Sequence, residues 1–167
     1  MSDLTPLKTF DARAFRDCCG SFATGVTVIT TRSAEGDHGA TVSAFMSVSL
    51  DPPLICISLD RRTKMLKKIE ASGRYAVNIL ATGMQAHALH FAGRRYENLT
   101  DLFMEHDGLP VLRNAAAIMV ANVVQQVEAG DHVLLIGHVQ HLERDPVANP
   151  LLYHAGTFGN LAVNVAE

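Results

Sequence analysis

Ala115 to Val127, then Glu128-Ala129-Gly130-Asp131, then His132 to Leu142 is the stretch whose reading decides the fold. Two long strand-like runs flank a short polar segment that contains a glycine, which is the signal of a β-hairpin. Upstream, Val26-Thr27-Val28-Ile29-Thr30-Thr31 is rich in β-branched residues and reads as a strand. Ser33 to Gly39 is polar with two glycines and reads as a hairpin loop. A second strand is expected from Ala40 to Ser49, ended by Asp51-Pro52-Pro53. Leu54 to Leu59 is an unbroken, mostly apolar run of the kind found in strands buried on both sides. Tyr75 to Leu80 reads as a further strand, and Pro150 to Val165 alternates enough for a last one.

Three segments carry the period of a helix. Asp11 is placed to cap a helix from Ala12 to Cys19 that Gly20 ends. Thr63 to Ala71 puts Met65, Leu66 and Ile69 on one side and most of its lysines on the other, and Ser72-Gly73 stops it. Met84 to Ala92 is the third, and Glu97 to Pro110 reads as an irregular surface excursion. Strands outnumber helices, the connections are short, and no regular βαβ alternation occurs. The expectation is a mainly β, antiparallel, closed or nearly closed barrel with flanking helices.

Composition narrows the function classes. The chain has 167 residues, 48% of them hydrophobic and 19% charged, which suits one domain with a real core. A net charge of −3 argues against a nucleic-acid binder. No apolar run approaches the roughly 18 to 20 residues of a membrane span. Met1 to Lys8 lacks the charged start and apolar core of a signal peptide, so a cytoplasmic protein is expected. The cysteines, Cys18, Cys19 and Cys56, are odd in number and two are adjacent, so three reduced, mostly packed thiols are expected. His138 and His141 stand three apart on a strand, which sends them to opposite faces, and no acidic or cysteine partner sits at ligand spacing. No metal is expected.

Three segments are candidates for chemistry. In Thr41-Val42-Ser43-Ala44-Phe45-Met46-Ser47-Val48-Ser49, period two gives one face of Val42, Ala44, Met46 and Val48, read as a core stripe. The other face is Thr41, Ser43, Phe45, Ser47 and Ser49, small hydroxyls around one ring, over which a flat ligand could lie close to the backbone. A Ser-rich strand facing solvent has the same pattern. Asp60-Arg61-Arg62-Thr63 stands where a strand gives way to a helix and offers N–H groups, two guanidiniums and a hydroxyl to a phosphate. A solvated basic helix start with Asp60 or Thr63 as cap fits the same residues. Gly130-Asp131-His132 makes a turn and leaves His132 to donate to a ligand or position a nicotinamide. No Gly-x-Gly-x-x-Gly and no phosphate loop is present, so a nucleotide would need another device.

Five stretches, in order, resemble the short-chain flavin reductase family, the FMN-binding split barrels that serve as reductase components of two-component monooxygenases. They are Phe15 to Val28; Thr41 to Pro53; Gly73 to Leu80; Gly130-Asp131-His132 with Gly137; and Pro150 to His154. The resemblance covers about residues 13 to 161, and one domain with a core of about 11 to 161 is expected. It implies FMN or FAD as the flavin, NADH or NADPH as its reductant, a homodimer, and a flavin-dependent monooxygenase as partner. Carried over residue by residue, it implies that Thr41, Val42, Ser43 and Ala44 line the ring and ribityl chain. Ser47, Val48 and Ser49 would reach the ring edge, and Asp60, Arg61, Arg62 and Thr63 would hold the phosphate. Phe91, Ala92 and Gly93 would close the phosphate or adenosine side. His132, Tyr153 and Phe158 would stand near the nicotinamide. Two departures are visible: Arg61 stands where many members have serine, and Ala155 follows His154 where a basic residue is common.

On this reading a hydride passes from nicotinamide to the flavin's central ring nitrogen, and the cofactors carry the reaction. The protein stacks the rings and excludes water, and no acid or base is required. A non-catalytic flavin or haem binder on the same barrel is the alternative, as is an oxidase of the pyridoxamine phosphate type.

Overall fold

The computed structural model describes residues 9–162. Met1 to Lys8 and the last residues of the expected tail strand, 163–165, lie outside them. Chain order is α1 (Ala12–Gly20), β1 (Thr24–Gly25), β2 (Thr27–Ser33), β3 (Gly36–Val42), β4 (Phe45–Leu50), β5 (Pro53–Asp60), α2 (Lys64–Ser72), β6 (Arg74–Ile79) and α3 (Gln85–Phe91). There follow β7 (Phe103–His106), β8 (Leu109–Leu112), β9 (Ala117–Ala129), β10 (His132–Arg144), β11 (Leu151–His154) and β12 (Thr157–Asn160).

The long hairpin is β9–β10, and it forms the middle of a seven-stranded antiparallel sheet ordered β3-β2-β6-β9-β10-β5-β4. The two edge strands, β3 and β4, are consecutive in sequence and joined by Ser43 and Ala44 alone, so the sheet must curl until its edges meet. No ladder joins β3 to β4, which leaves the curl split at that seam. β1, β11 and β12 form a small second sheet, and β7 pairs with β8.

The concave face of the sheet holds the main core. Ile29, Ile55, Ile57, Leu59, Tyr75, Val77, Ala121 and Leu135 meet there, and α2 adds Met65, Leu66 and Ile69. These are the three residues that the helical period singled out. Asp11 caps α1 by accepting from the Ala14 N–H, and Gly73 ends α2 in the left-handed conformation at φ 70°.

Asn78 ties three strands together from a fully buried position. Its amide donates to the Val28 carbonyl (2.9 Å) and the Thr30 hydroxyl (3.0 Å), and its carbonyl accepts from the Leu112 N–H (2.7 Å). Asn78→Leu strands the buried Leu112 N–H, at about 1–3 kcal/mol for such a group. Urea titration is expected to show a loss in that range or above. A loss under about 0.5 kcal/mol would mean that the triad is not stabilising.

Five expectations are corrected. First, Ala40 to Ser49 is two strands, broken at Ser43-Ala44, because β3 pairs with β2 while β4 pairs with β5. Of the supposed core stripe only Val42 packs on the core: Ala44 is exposed, Met46 is 57% and Val48 44% exposed, and Phe45 packs inward instead. Second, the loop from Ser33 to Gly39 is mostly ladder, with Ala34 and Glu35 alone between the strands. Third, the excursion from Glu97 to Pro110 holds β7 and the start of β8, whose Leu109, Val111 and Leu112 are buried. Fourth, a bulge between Val139 and His141 shifts the parity of β10. His138 then opposes Asn122 and His141 opposes Val120, residues of one face of β9. Fifth, Cys56 is buried, but Cys18 and Cys19 are exposed on α1; all three are free thiols.

Candidate functional site

The seam between β3 and β4 creates the polar opening of the site. The N–H groups of Ser43 and Ala44 donate to no backbone carbonyl among the described residues, while the carbonyls of both are taken, by Phe45 N–H (3.0 Å) and Ser58 N–H (3.1 Å). Two backbone donors therefore stand free beside the exposed side chains of Ser43, Ala44 and Ser47. The Thr41 hydroxyl is not free; it donates to the Ala88 carbonyl (2.6 Å) and pins β3 to α3.

A cleft of about 470 Å³ opens beside this seam, lined by Val26, Thr41, Ser43, Gln85, Ala88, Leu89, Ala92, Arg94, Tyr153, Gly156 and Phe158. Its size is that of a small-molecule site. One wall is aromatic: Tyr153 and Phe158 are opposed on β11 and β12, with ring centroids 5.1 Å apart and planes at 60°. The β11–β12 turn that brings them together is Ala155-Gly156, both at positive φ (47° and 82°), as a two-residue hairpin requires. A smaller hollow of about 220 Å³ adjoins it through Ser43, with Thr24, Gly25, Thr27, Phe45 and Ile79.

A second cleft of about 560 Å³ is lined by Thr63, Phe91 and Gly93 with His38, Gly39, Lys64, His90 and Arg95 among others. Its acid, Asp37, is bound to Arg32 at 2.7 Å, so the cleft's free charge is positive. Burial and the nearby Lys68 and Lys64 push the His38 imidazole below its usual range, which keeps it neutral near pH 7. The Phe91 ring closes on Gly39, where a Cβ would lie 2.5 Å from its Cε1 and 2.6 Å from its Cδ1.

The loop expected to seat a phosphate is largely neutralised from within. Arg62 grips Asp60 through its side chain (2.6 Å) and backbone (2.8 Å), which holds the Asp60 carboxyl well below the usual carboxylate range. Arg61 pairs with Glu128 at 3.2 Å. Thr63 is the N-cap of α2: its hydroxyl donates to the Asp60 carbonyl (2.8 Å) and accepts from Leu66 N–H (3.3 Å). Thr63→Ala is expected to cost about 1 kcal/mol of stability, read by chemical denaturation. No measurable loss would mean that another group caps the helix.

His132 opposes Asp60 at the hairpin end and binds Asp131 at 2.7 Å, a contact that draws the Asp131 carboxyl below its usual range. It lines neither cleft. Of the expected residues, the first cleft thus unites Thr41, Ser43, Ala92, Tyr153 and Phe158, and the second unites Thr63, Phe91 and Gly93. Val42, Ala44, Ser47, Val48 and Ser49 lie along the seam and β4 outside both. Gln85, Leu89, Arg94, Lys64 and Arg95 line the clefts but were not expected, because a helix face and a loop cation carry no local signal of a cleft. Arg94 and Arg95 form no ion pair with a described residue.

A curled antiparallel sheet, split at a seam of free N–H donors and walled by aromatic rings, defines a β protein built to bind a flat polar ligand. Residues 19–162 match the model of the flavin reductase like domain, and the chain belongs to that family. It is 40% identical over 162 residues to an NADH-dependent flavin reductase of a Rhodococcus species, covering 95% of this chain and 88% of that protein. It is 34% identical over 140 residues to the reductase component of 4-hydroxyphenylacetate 3-monooxygenase of Thermus thermophilus, covering 84% and 90%. The solved structure of the flavin reductase PheA2 superposes with a TM-score of 0.86 at 45% identity, over 92% of this chain and 99% of that one.

Proposed function

We propose that the chain is an NADH-dependent flavin reductase that supplies reduced FMN or FAD to a separate flavin-dependent monooxygenase. The observation that carries this is the first cleft, where Thr41, Ser43, Ala92, Tyr153 and Phe158 converge from three separated segments beside two free backbone N–H groups. The residues fit a flavin: small side chains leave the backbone approachable, the hydroxyls and N–H groups match a ring edge rich in acceptors, and the aromatic pair offers a flat wall. A bound flavin supplies the hydride acceptor, and NADH the hydride.

The protein's part is positional. Thr41, held on the Ala88 carbonyl, fixes the distance between β3 and α3 and so the width of the cleft. Ser43 and Ala44 direct their N–H groups to the ring edge, with Ser47, Val48 and Ser49 continuing the line along β4. Tyr153 and Phe158 keep water from the stacked rings. The phosphate belongs to the second cleft, where Thr63 and Gly93 meet Lys64 and Arg95 and the acid, Asp37, is already paired with Arg32. Lys64→Ala with Arg95→Ala is expected to weaken FMN about tenfold or more and riboflavin little. The opposite pattern, with Arg61→Ala and Arg62→Ala selective for FMN, would return the seat to the loop.

The enzyme works as a homodimer. Its β4 and β9 carry exposed Met46, Val48, Leu50, Val124 and Val127, and α1 is amphipathic yet buries none of its residues, with Phe15 exposed on it and Phe22 exposed just after it. Faces of this kind mark interfaces. His132, which lines neither cleft of its own chain, then serves the nicotinamide bound by a partner. The test is complementation. His132→Ala and Ser43→Phe are each expected to be nearly inactive alone. Dimers re-formed from an equal mixture should regain about one quarter of wild-type activity, since half the dimers hold one intact site. No recovery would place His132 in its own chain's site. The described residues include no helix long and apolar enough to cross a membrane, and dependence on NADH suits the cytoplasm.

A further inference from the structure

Away from the flavin clefts, three potential ligands converge on the outer face of the long hairpin. His141 and Glu143 are two apart on β10, opposite Val120 and Ile118. His106, the last residue of β7, is carried over them because the β7–β8 hairpin packs on that face through Leu109 and Val111 against Ile118 and Val120. The Glu143 Oε1 lies 3.4 Å from His106 Nδ1 and 3.3 Å from His141 Nε2. One donor atom from each residue lies within 4.8 Å of the others.

We propose that His106, His141 and Glu143 form a binding site for a first-row divalent transition metal, Zn²⁺ above all. Two spacings fit this site better than a closed ion pair. A charge-assisted N–H···O bond closes to about 2.7–2.9 Å, and these contacts are longer. Ligands about 2.1 Å from a tetrahedral ion stand about 3.4 Å from one another, which matches both separations. Two imidazole nitrogens and one carboxylate oxygen are the donor set of open zinc sites, with a fourth position left for water. The polar contact of His106 is directed at the cluster, since its other ring nitrogen, Nε2, is buried without a partner. Glu143 is half exposed and leaves an entry path for the ion. The bound ion clamps the β7–β8 hairpin to β10, two elements far apart in the chain.

The expectation of no metal failed to weigh this set because His106 is distant in sequence, and because the bulge that turns His141 toward it has no clear mark in the residues. The test uses tag-free full-length protein with Cys18→Ser and Cys19→Ser, so that exposed thiols do not compete. Co²⁺ titration should saturate at one equivalent with the visible absorption of a tetrahedral site, and Zn²⁺ should displace it. His141→Ala should abolish the signal and Glu143→Gln weaken binding at least about tenfold, while His138→Ala, on the same face but outside the cluster, retains it. Zn²⁺ should also raise the thermal midpoint of the unmutated protein, reversed by a chelator, a reading that needs no variant. Absence of a saturable site, or equal binding by the wild type and both cluster variants, would overturn the proposal.

Discussion

Ser43→Phe is expected to give a folded protein that neither binds flavin nor turns over NADH, with kcat/KM for flavin down by about 100-fold or more. Ser43 is exposed, lies between β3 and β4 rather than in a ladder, and borders both the larger cleft and the adjoining hollow. A phenyl ring there fills space that the ring system needs and meets no core side chain on folding. Unchanged circular dichroism and thermal midpoint, together with lost quenching of flavin fluorescence, is the expected pair of results. Undiminished flavin affinity in the folded variant would move the ring out of this cleft.

Gly137→Ala is expected to be the most damaging single-methyl change in the core. A Cβ at Gly137 would lie 2.4 Å from the Tyr75 Oη, 2.8 Å from its Cζ and 2.9 Å from the Ala121 Cβ. Tyr75 cannot swing aside: it is fully buried and donates its hydroxyl to the Leu135 carbonyl at 3.3 Å. That burial pushes the phenol well above its ordinary range, so it stays a neutral donor at every working pH. Overpacking of this kind costs about 1–3 kcal/mol, or about 3–10 °C in Tm for a domain of this size. Tyr75→Phe in the Gly137→Ala background removes the closest clash and should recover part of the loss. Full stability in Gly137→Ala alone would mean that β10 can move away from β6.

Much of this was legible in the chain. A β-branched run identified β2, the stop at Ser72-Gly73 set off β6, the apolar stripe of Met65, Leu66 and Ile69 identified the buried face of α2, and the polar break at residues 128–131 marked the long hairpin. These succeed because propensity and burial agree within each segment. The Ser-rich stretch was legible as chemistry but not as geometry: alternation alone assigned Met46 and Val48 to the core. The curl of the sheet breaks the strand at Ser43-Ala44, and β4 joins a different neighbour. Asp60 to Thr63 looked like a free basic seat because sequence shows charges without their partners; Asp60 and Glu128 already satisfy Arg62 and Arg61. The cations that line the clefts, Lys64, Arg94 and Arg95, gain that role from where α2 begins and α3 ends, which no local pattern reports.

The central claim is that this cleft joins a flavin to NADH for turnover. Its most direct test is steady-state oxidation of NADH and of NADPH by catalytic amounts of purified protein with FMN, FAD, riboflavin or no flavin added. NADH oxidation is expected to require added flavin, to saturate with it, and to be lost in Ser43→Phe. A protein that binds flavin yet leaves NADH unoxidised under every one of these conditions would contradict it and return the fold to the non-catalytic binders or the oxidases.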